Sequence, residues 1–353
     1  VFVALRDIRF AKGRFTLMGA VVALLTGLVL FLYGLTGGLA ADSTSALKGL
    51  PVRAVVFGGP AVSFSDSAVT PAQQAGWQAA ADAQPFGVSV TRLATDNDGA
   101  GGAAKSVSVV GTDAALTPHP LSGSAPGPGQ VAVGAKLAAQ YNLSAGSPVS
   151  VGPVRLTVSG ITPDRSWGHA PTVWTDEPTW QHIAGAAQPV AMTVTGPADT
   201  GALDAAQHTK TVGLDAAEAG IDGYSAEQGS LTMIQGFLFA ISALVAGAFF
   251  TVWTVQRKAD IAVLKAIGAS SAALVRDALG QALILLLAGG ALGALAGAVG
   301  GVLLRSSGTP FALDAATVAV PLAAMVGLGL AGAALAVRRI VTVDPLTALG
   351  AAR

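Results

Sequence analysis

Glu227 is the last charged residue before 29 uncharged ones, Gln228 to Gln256. A carboxylate in that position either marks the water boundary or serves as a ligand for a metal centre or a cationic group. Tyr33 and Phe31 lie within a second uncharged stretch, and Tyr224, Met233 and Gln235 lie within a few residues of Glu227. Carboxylate, phenol and thioether can each ligate iron, and the tyrosines are also suited to the aromatic belt of a membrane interface. The histidines His119, His169, His182 and His208 are the more usual iron ligands, but all four fall in the polar stretch 42–227, where surface and loop roles are expected. Cysteine is absent, which excludes disulfides, thiolate metal sites and Fe–S ligation. "GAGGAAKS", 99–106, nearly spells a phosphate-binding loop, but Ala104 replaces the required glycine, so the stretch reads as a loop and the chain as a non-enzyme.

These side chains need elements to hold them, and charge-free windows define the elements. The chain has 353 residues, 52% hydrophobic and only 11% charged, well below the roughly 25% charged content of ordinary globular domains. Windows of 27, 29, 27 and 23 uncharged residues occupy 15–41, 228–256, 278–304 and 315–337. About 20 apolar residues cross a bilayer as a helix, so four transmembrane helices are predicted. Eighteen residues of rise place Tyr33 about 27 Å from Phe15, near the far interface.

Basic residues orient the spans. Arg6, Arg9, Lys12 and Arg14 precede the first; Arg257, Lys258, Lys265 and Arg276 lie between the second and third; Arg338, Arg339 and Arg353 follow the fourth. Both termini are therefore expected in the cytoplasm of a multi-pass protein of the cell membrane. The 186-residue insert 42–227 carries 15 acidic against eight basic residues and is expected outside.

The predicted fold is membrane α-helical, with an α+β extracytoplasmic domain inserted between helices 1 and 2. Its segments are an amphipathic N-terminal helix over 1–14, spans over 15–41 and 228–256, a cytoplasmic segment over 257–277, spans over 278–304 and 315–337 joined by an outer loop at 305–314, and a tail from 338 to 353. Within the insert, strand-like runs begin at 51, 87, 105, 130 and 190, and 70–85 has helical periodicity behind a Thr-Pro start. Residues 93–106 and 119–130 read as loops. Gly289, Gly293, Gly297 and Gly301 recur every four residues on one face of the third span. That face is expected to pack closely on the fourth span through Ala323, Gly327 and Ala331.

The segment "VQRKADIAVLKAIGAS", 255–270, is short, charged and helix-periodic between two spans. Arg257, Lys258 and Asp260 cluster at its start, Ile261, Val263 and Leu264 supply apolar positions, and Gly268 is placed to end the helix. Basic residues alone would hold a loop in the cytoplasm; the apolar ones call for a surface to cover them.

This segment resembles the coupling segment of FtsX/MacB-type permeases of ATP-binding cassette systems. "ALRDIRFAKGRF", 4–15, is similar to that family's amphipathic N-terminal helix, and "RRIVTVDPLTALG", 338–350, to its C-terminal ending. The order of one helix, a large outer domain and three helices also matches, so the resemblance covers nearly the whole chain. Asp260 stands where many members have Glu, which shortens the reach of that acid.

The resemblance implies a permease homodimer with two copies of a separate ATPase, which binds ATP and Mg²⁺ and receives residues 257–268 in a groove. Ile261, Val263 and Leu264 would anchor the segment, and Arg257, Lys258 and Asp260 would orient it. It further implies a mobile cleft between the outer ends of helices 1 and 2 of the two protomers. The pattern is most similar to the haem-efflux branch of the family, with haem as transported substrate and no intrinsic cofactor or nucleic-acid partner. Glu227 would then meet the haem iron, with Tyr33, Met233, Tyr224, Phe31 and Gln235 lining the site. Export of another amphiphile, or mechanical activation of an outer partner, uses the same architecture.

Overall fold

Lys12 opens the first helix of the computed structural model, α1 (Lys12–Lys48), whose 37 residues cover about 55 Å. The hydrocarbon core is only about 30 Å thick. The helix therefore outruns the 15–41 window, and Asp42 and Lys48 belong to its continuation, because charged residues leave the bilayer without ending helical hydrogen bonding. The structure describes residues 12–95, 104–256, 263 and 267–341. The chain divides into two compact units, residues 39–229 and residues 1–38 with 230–353.

The unit 39–229 is built on a mixed sheet. Its strands are β1 (Ala54–Phe57), β2 (Ala83–Thr95), β3 (Lys105–Gly111), β4 (Ser122–Gly123), β5 (Gln130–Gly134), β6 (Pro148–Val151), β7 (Val154–Thr162), β8 (Ser166–Trp167), β9 (Ala170–Thr175), β10 (Ala191–Val194) and β11 (Lys210–Gly213). The order is β11-β1-β10-β2-β3-β9-β5-β7-β4, with β6 on β2 and β7, and β8 on β9. Pairs β3–β9 and β5–β7 are parallel. The helices are α2 (Pro71–Ala80), α3 (Ala135–Tyr141), α4 (Glu177–Ala184), α5 (Thr200–Gln207) and the single turn α6 (Leu214–Ala217). This is the α+β insert that the alternating strand and turn chemistry predicts.

Two local outcomes differ from the sequence expectation. The helix placed at 70–85 ends at Ala80, because Ala83–Phe86 pair with β10 and the extended Ala81 closes the helix. Its start is a capping box: Thr70 accepts from the Gln73 amide, and the Gln73 side chain returns to the Thr70 N–H. In the stretch placed as a loop at 119–130, Ser122–Gly123 pair with β7. Strand β3 begins at Lys105, so the lysine of the loop-like "GAGGAAKS" opens a strand and not the helix that a phosphate loop requires.

The outer core has an aromatic centre. Phe64 lies edge-on to Trp167 at 4.7 Å and to Phe57 at 4.9 Å between ring centroids, geometry that favours such pairs beyond their buried area. On the other half of the sheet, Trp180 of α4 rests on Gly87 and Gly111, where any Cβ would overlap the indole, and its Nε1–H donates to Ser89.

The remaining helices are α7 (Tyr224–Gln256), α8 (Ser271–Ser306) and α9 (Ala315–Val341). With α1 they are the four helices long and apolar enough to cross a membrane among the described residues. Ser270 caps α8 by accepting from Ala273 N–H, so 271–277 of the segment expected at 257–277 are already helix.

The glycine face of α8 does not take the expected partner. Gly289 lies against Gly19 and Val22, Gly293 against Ala23 and Gly27, and Gly297 against Gly27 and Leu30, all on α1. Gly301 is covered by Phe311, whereas a Cβ added at Gly327 would meet no neighbouring element within 4 Å. Spacing by four defines a close-approach face but not its neighbour, and here α1 fills it. Contact with α9 runs through the next positions, Gly290 under Leu322 and Gly329 under Leu286, while Gly332 of α9 meets Gly247 of α7. Phe15, Met18, Phe250, Trp253, Leu286 and Ala333 form one buried cluster drawn from all four helices.

Candidate functional site

Glu227 stands in the first turn of α7, and its carboxylate is met by a histidine 58 residues away. His169 Nε2 lies 2.9 Å from Glu227 Oε2, while Nδ1 lies 3.3 Å from Asp42 Oδ2. Ser43 Oγ is 3.1 Å from the same Nε2. The side chains of Glu227, Asp42 and His169 are 27%, 31% and 41% exposed, so the cluster is partly screened and open to solvent on one side.

A two-residue turn delivers the imidazole. Gly168 and His169 both adopt positive φ, 54° and 63°, between the antiparallel strands β8 and β9. Two successive left-handed residues are the hairpin geometry that matches strand twist, and histidine is among the side chains that tolerate it. The hairpin is tied to α1 by Ser166 N–H to Ser45 Oγ, 2.8 Å, and by Gly168 N–H to the Ser43 carbonyl, 3.0 Å.

Burial works against the charged form of His169, but hydrogen bonds to Glu227 and Asp42 and their negative charges outweigh it. The net effect raises its pKa above the ordinary value. A raised folded-state pKa stabilises the fold most below the unfolded value, about 6.5, and the contribution disappears as pH rises through the folded value. The melting temperature of the wild type should therefore exceed that of His169→Gln most at about pH 6, with the gap narrowing above neutrality. A gap that widens with pH would contradict the pairing.

A second tie joins the same two helix ends. Lys48 Nζ is 2.7 Å from Glu218 Oε1, and the Tyr224 hydroxyl donates to Glu218 Oε2 at 2.6 Å. The Glu218 side chain is only 7% exposed. Lys48→Ala should lower stability by about 1–3 kcal/mol, the cost of leaving the buried Glu218 carboxylate without its ion-pair partner, with Lys48→Arg recovering part of it in thermal melts.

The other sequence-selected residues fall as follows. Tyr224 is thus engaged with Glu218. Gln235 Nε2 donates to Thr36 Oγ1 at 2.9 Å, linking α7 to α1 one turn beyond Tyr33. Phe31 packs on Phe311 with ring centroids 5.6 Å apart. Met233, two positions from Gln235, points to the opposite side of α7 and is 64% exposed, in line with Phe237, Ile241 and Leu244. Met233 and Gln235 therefore do not converge. Among the described residues, no group of three or more His, Asp or Glu is arranged to hold a metal ion. Between the four helices, Met18, Ser242, Phe250, Leu286 and Met325 line an apolar cavity of about 20 Å³, room for one water molecule and not for a large cargo.

His169 lies in a turn, as the sequence leads one to expect, but its contact with Glu227 is not foreshadowed there. Its one local signal is the Gly-His pair between two strand-forming runs; nothing in the spacing connects it to Glu227.

Of the coupling segment, Arg257, Lys258, Asp260, Ile261 and Leu264 lie outside the described residues. Val263 is exposed, Ile267 N–H donates to its carbonyl, and Gly268 has φ +100°. The N-terminal helix expected at 1–14 and the tail from 338 likewise lie largely outside them.

Four helices long and apolar enough to cross a membrane, with an α+β insert after the first, are the architecture of a multi-pass membrane protein. Residues 232–345 match the family model described as FtsX-like permease C-terminal, so this stretch is similar to an FtsX-like permease domain. It is 26% identical over 352 residues, 98% of each chain, to a Staphylococcus epidermidis protein provisionally described as the hemin transport system permease protein HrtB. It is 28% identical over 364 residues, 99% of each chain, to an uncharacterized ABC transporter permease of Mycobacterium tuberculosis. Among solved structures, the periplasmic region of MacB from Actinobacillus actinomycetemcomitans aligns with 50% of this chain and 96% of its own at TM-score 0.37 and 14% identity.

Proposed function

We propose that this permease subunit exports haem, taken as substrate from the membrane, in a homodimer served by two copies of a separate cytoplasmic ATPase. The observation that carries the reading is a partly exposed carboxylate, Glu227, at the first turn of α7, where 29 uncharged residues begin. Haem is flat and largely apolar, so it partitions to such a boundary, and a carboxylate is a competent iron ligand. The near full-length similarity to a protein named for hemin transport supports the same cargo.

In this reading Glu227 meets the iron, and Tyr33, Phe31, Tyr224, Met233 and Gln235 line the cleft between protomers, Met233 and Gln235 from opposite sides of α7. Both termini and residues 257–268 are cytoplasmic; Arg257, Lys258 and Asp260 orient the segment on the ATPase, Ile261, Val263 and Leu264 anchor it, and Gly268 ends it. ATP and Mg²⁺ reside in that partner. The test is growth on haemin of bacteria lacking their own haem efflux, given this permease with its ATPase. Restored growth with lowered cell-associated haem is expected. Unchanged sensitivity with a demonstrably active ATPase pair would turn the reading toward another amphiphile or mechanical signalling.

A further inference from the structure

Glu227 does not sit alone at the head of α7; one imidazole joins it to the far end of α1. We propose that His169 is the positioning residue for Glu227, holding one carboxylate oxygen so that the other is presented to cargo; this rests on the haem reading above.

Nε2 meets one of the two Glu227 oxygens, Oε2, with Ser43 Oγ beside it, and the other ring nitrogen lies at Asp42. A ring fixed at both nitrogens cannot rotate without breaking one contact, so it fixes the torsions of the acid it holds. The ring is itself fixed: Gly168 N–H and Ser166 N–H bind α1, and the intervening Trp167 is 5% exposed beneath Phe64 and Phe86. Support of this kind, a side chain locked by packing that orients a ligand through a hydrogen bond, typically changes metal affinity 10–100-fold when removed. Asp42, Ser43, Ser45 and Glu227 come from two different helices, and the hairpin 166–170 is the piece that touches them all.

Three variants separate positioning from folding. Asn tolerates the left-handed backbone at 169 but is too short to reach Glu227, so His169→Asn keeps the turn and removes the bond. Gln places an amide near the position of Nε2, so His169→Gln retains a donor. Glu227→Gln removes the acid. The full-length permease in detergent is titrated with haemin, reading the Soret band, and each apo variant is melted alone and as the His169→Asn/Glu227→Gln double.

The expected result is haemin affinity about ten-fold weaker with a shifted Soret maximum in His169→Asn, recovery in His169→Gln, and melting shifts of the single variants that do not add in the double. Haemin binding by His169→Asn identical to wild type, or additive melting shifts, would overturn the assignment. If the wild type shows no saturable haemin binding while the melting shifts remain non-additive, the haem reading falls and the His169–Glu227 pairing stands.

Discussion

Gly293→Leu is expected to separate α1 from α8 and to leave the permease inserted in the membrane but thermally weakened, by about 3 kcal/mol, the upper end for overpacking a close-packed site. A Cβ at 293 would overlap the carbonyl oxygen of Ala23 and approach Gly27 N at 2.9 Å, both backbone atoms that no rotamer change can move aside. The neighbouring turns offer no relief, because a Cβ added at Gly289 would come within 2.9 Å of Gly19 O and one at Gly297 within 3.0 Å of Gly27 O. Membrane helices associate through such packing and not through a hydrophobic drive, so loss of close approach removes much of what holds the pair. Gly280→Ala on the same helix meets nothing within 4 Å and should melt like wild type. Equal melting of the two variants would contradict the α1–α8 contact.

Leu264→Asp should abolish ATP-driven transport and cargo-stimulated ATP hydrolysis while leaving the permease in the membrane at normal abundance. In the proposed coupling, an apolar anchor from 257–268 enters a groove on another subunit and contributes far more than the charges around it, and an aspartate there would be desolvated without a partner. Arg257→Ala should have a smaller effect, mainly on the salt dependence of association. Unchanged stimulated turnover in Leu264→Asp would remove this segment from the coupling path.

What the sequence discloses about this chain depends on the range of each signal. Charge-free length is a one-dimensional property, and it located four spans and the insert between the first and second. It underestimated α1 and α7, because helical hydrogen bonding continues past the bilayer through Asp42 and Glu227. Glycine periodicity identified the close-approach face of α8 but assigned it to α9, since periodicity carries no information about which helix is adjacent. The helix expected to reach 85 yielded its end to pairing with β10, a tertiary demand that local propensity does not contain. Glu227 was legible as an acid at a water boundary; His169 was not legible as its partner, because the contact depends on a two-residue turn folding onto α1.

The most direct test of the haem assignment is an absorption titration of the purified full-length permease with haemin, wild type against Glu227→Ala. Saturable binding near one haem per dimer is expected in the wild type, with affinity lost or the Soret band shifted in the variant. Nonsaturable partitioning that is the same in both proteins would contradict it.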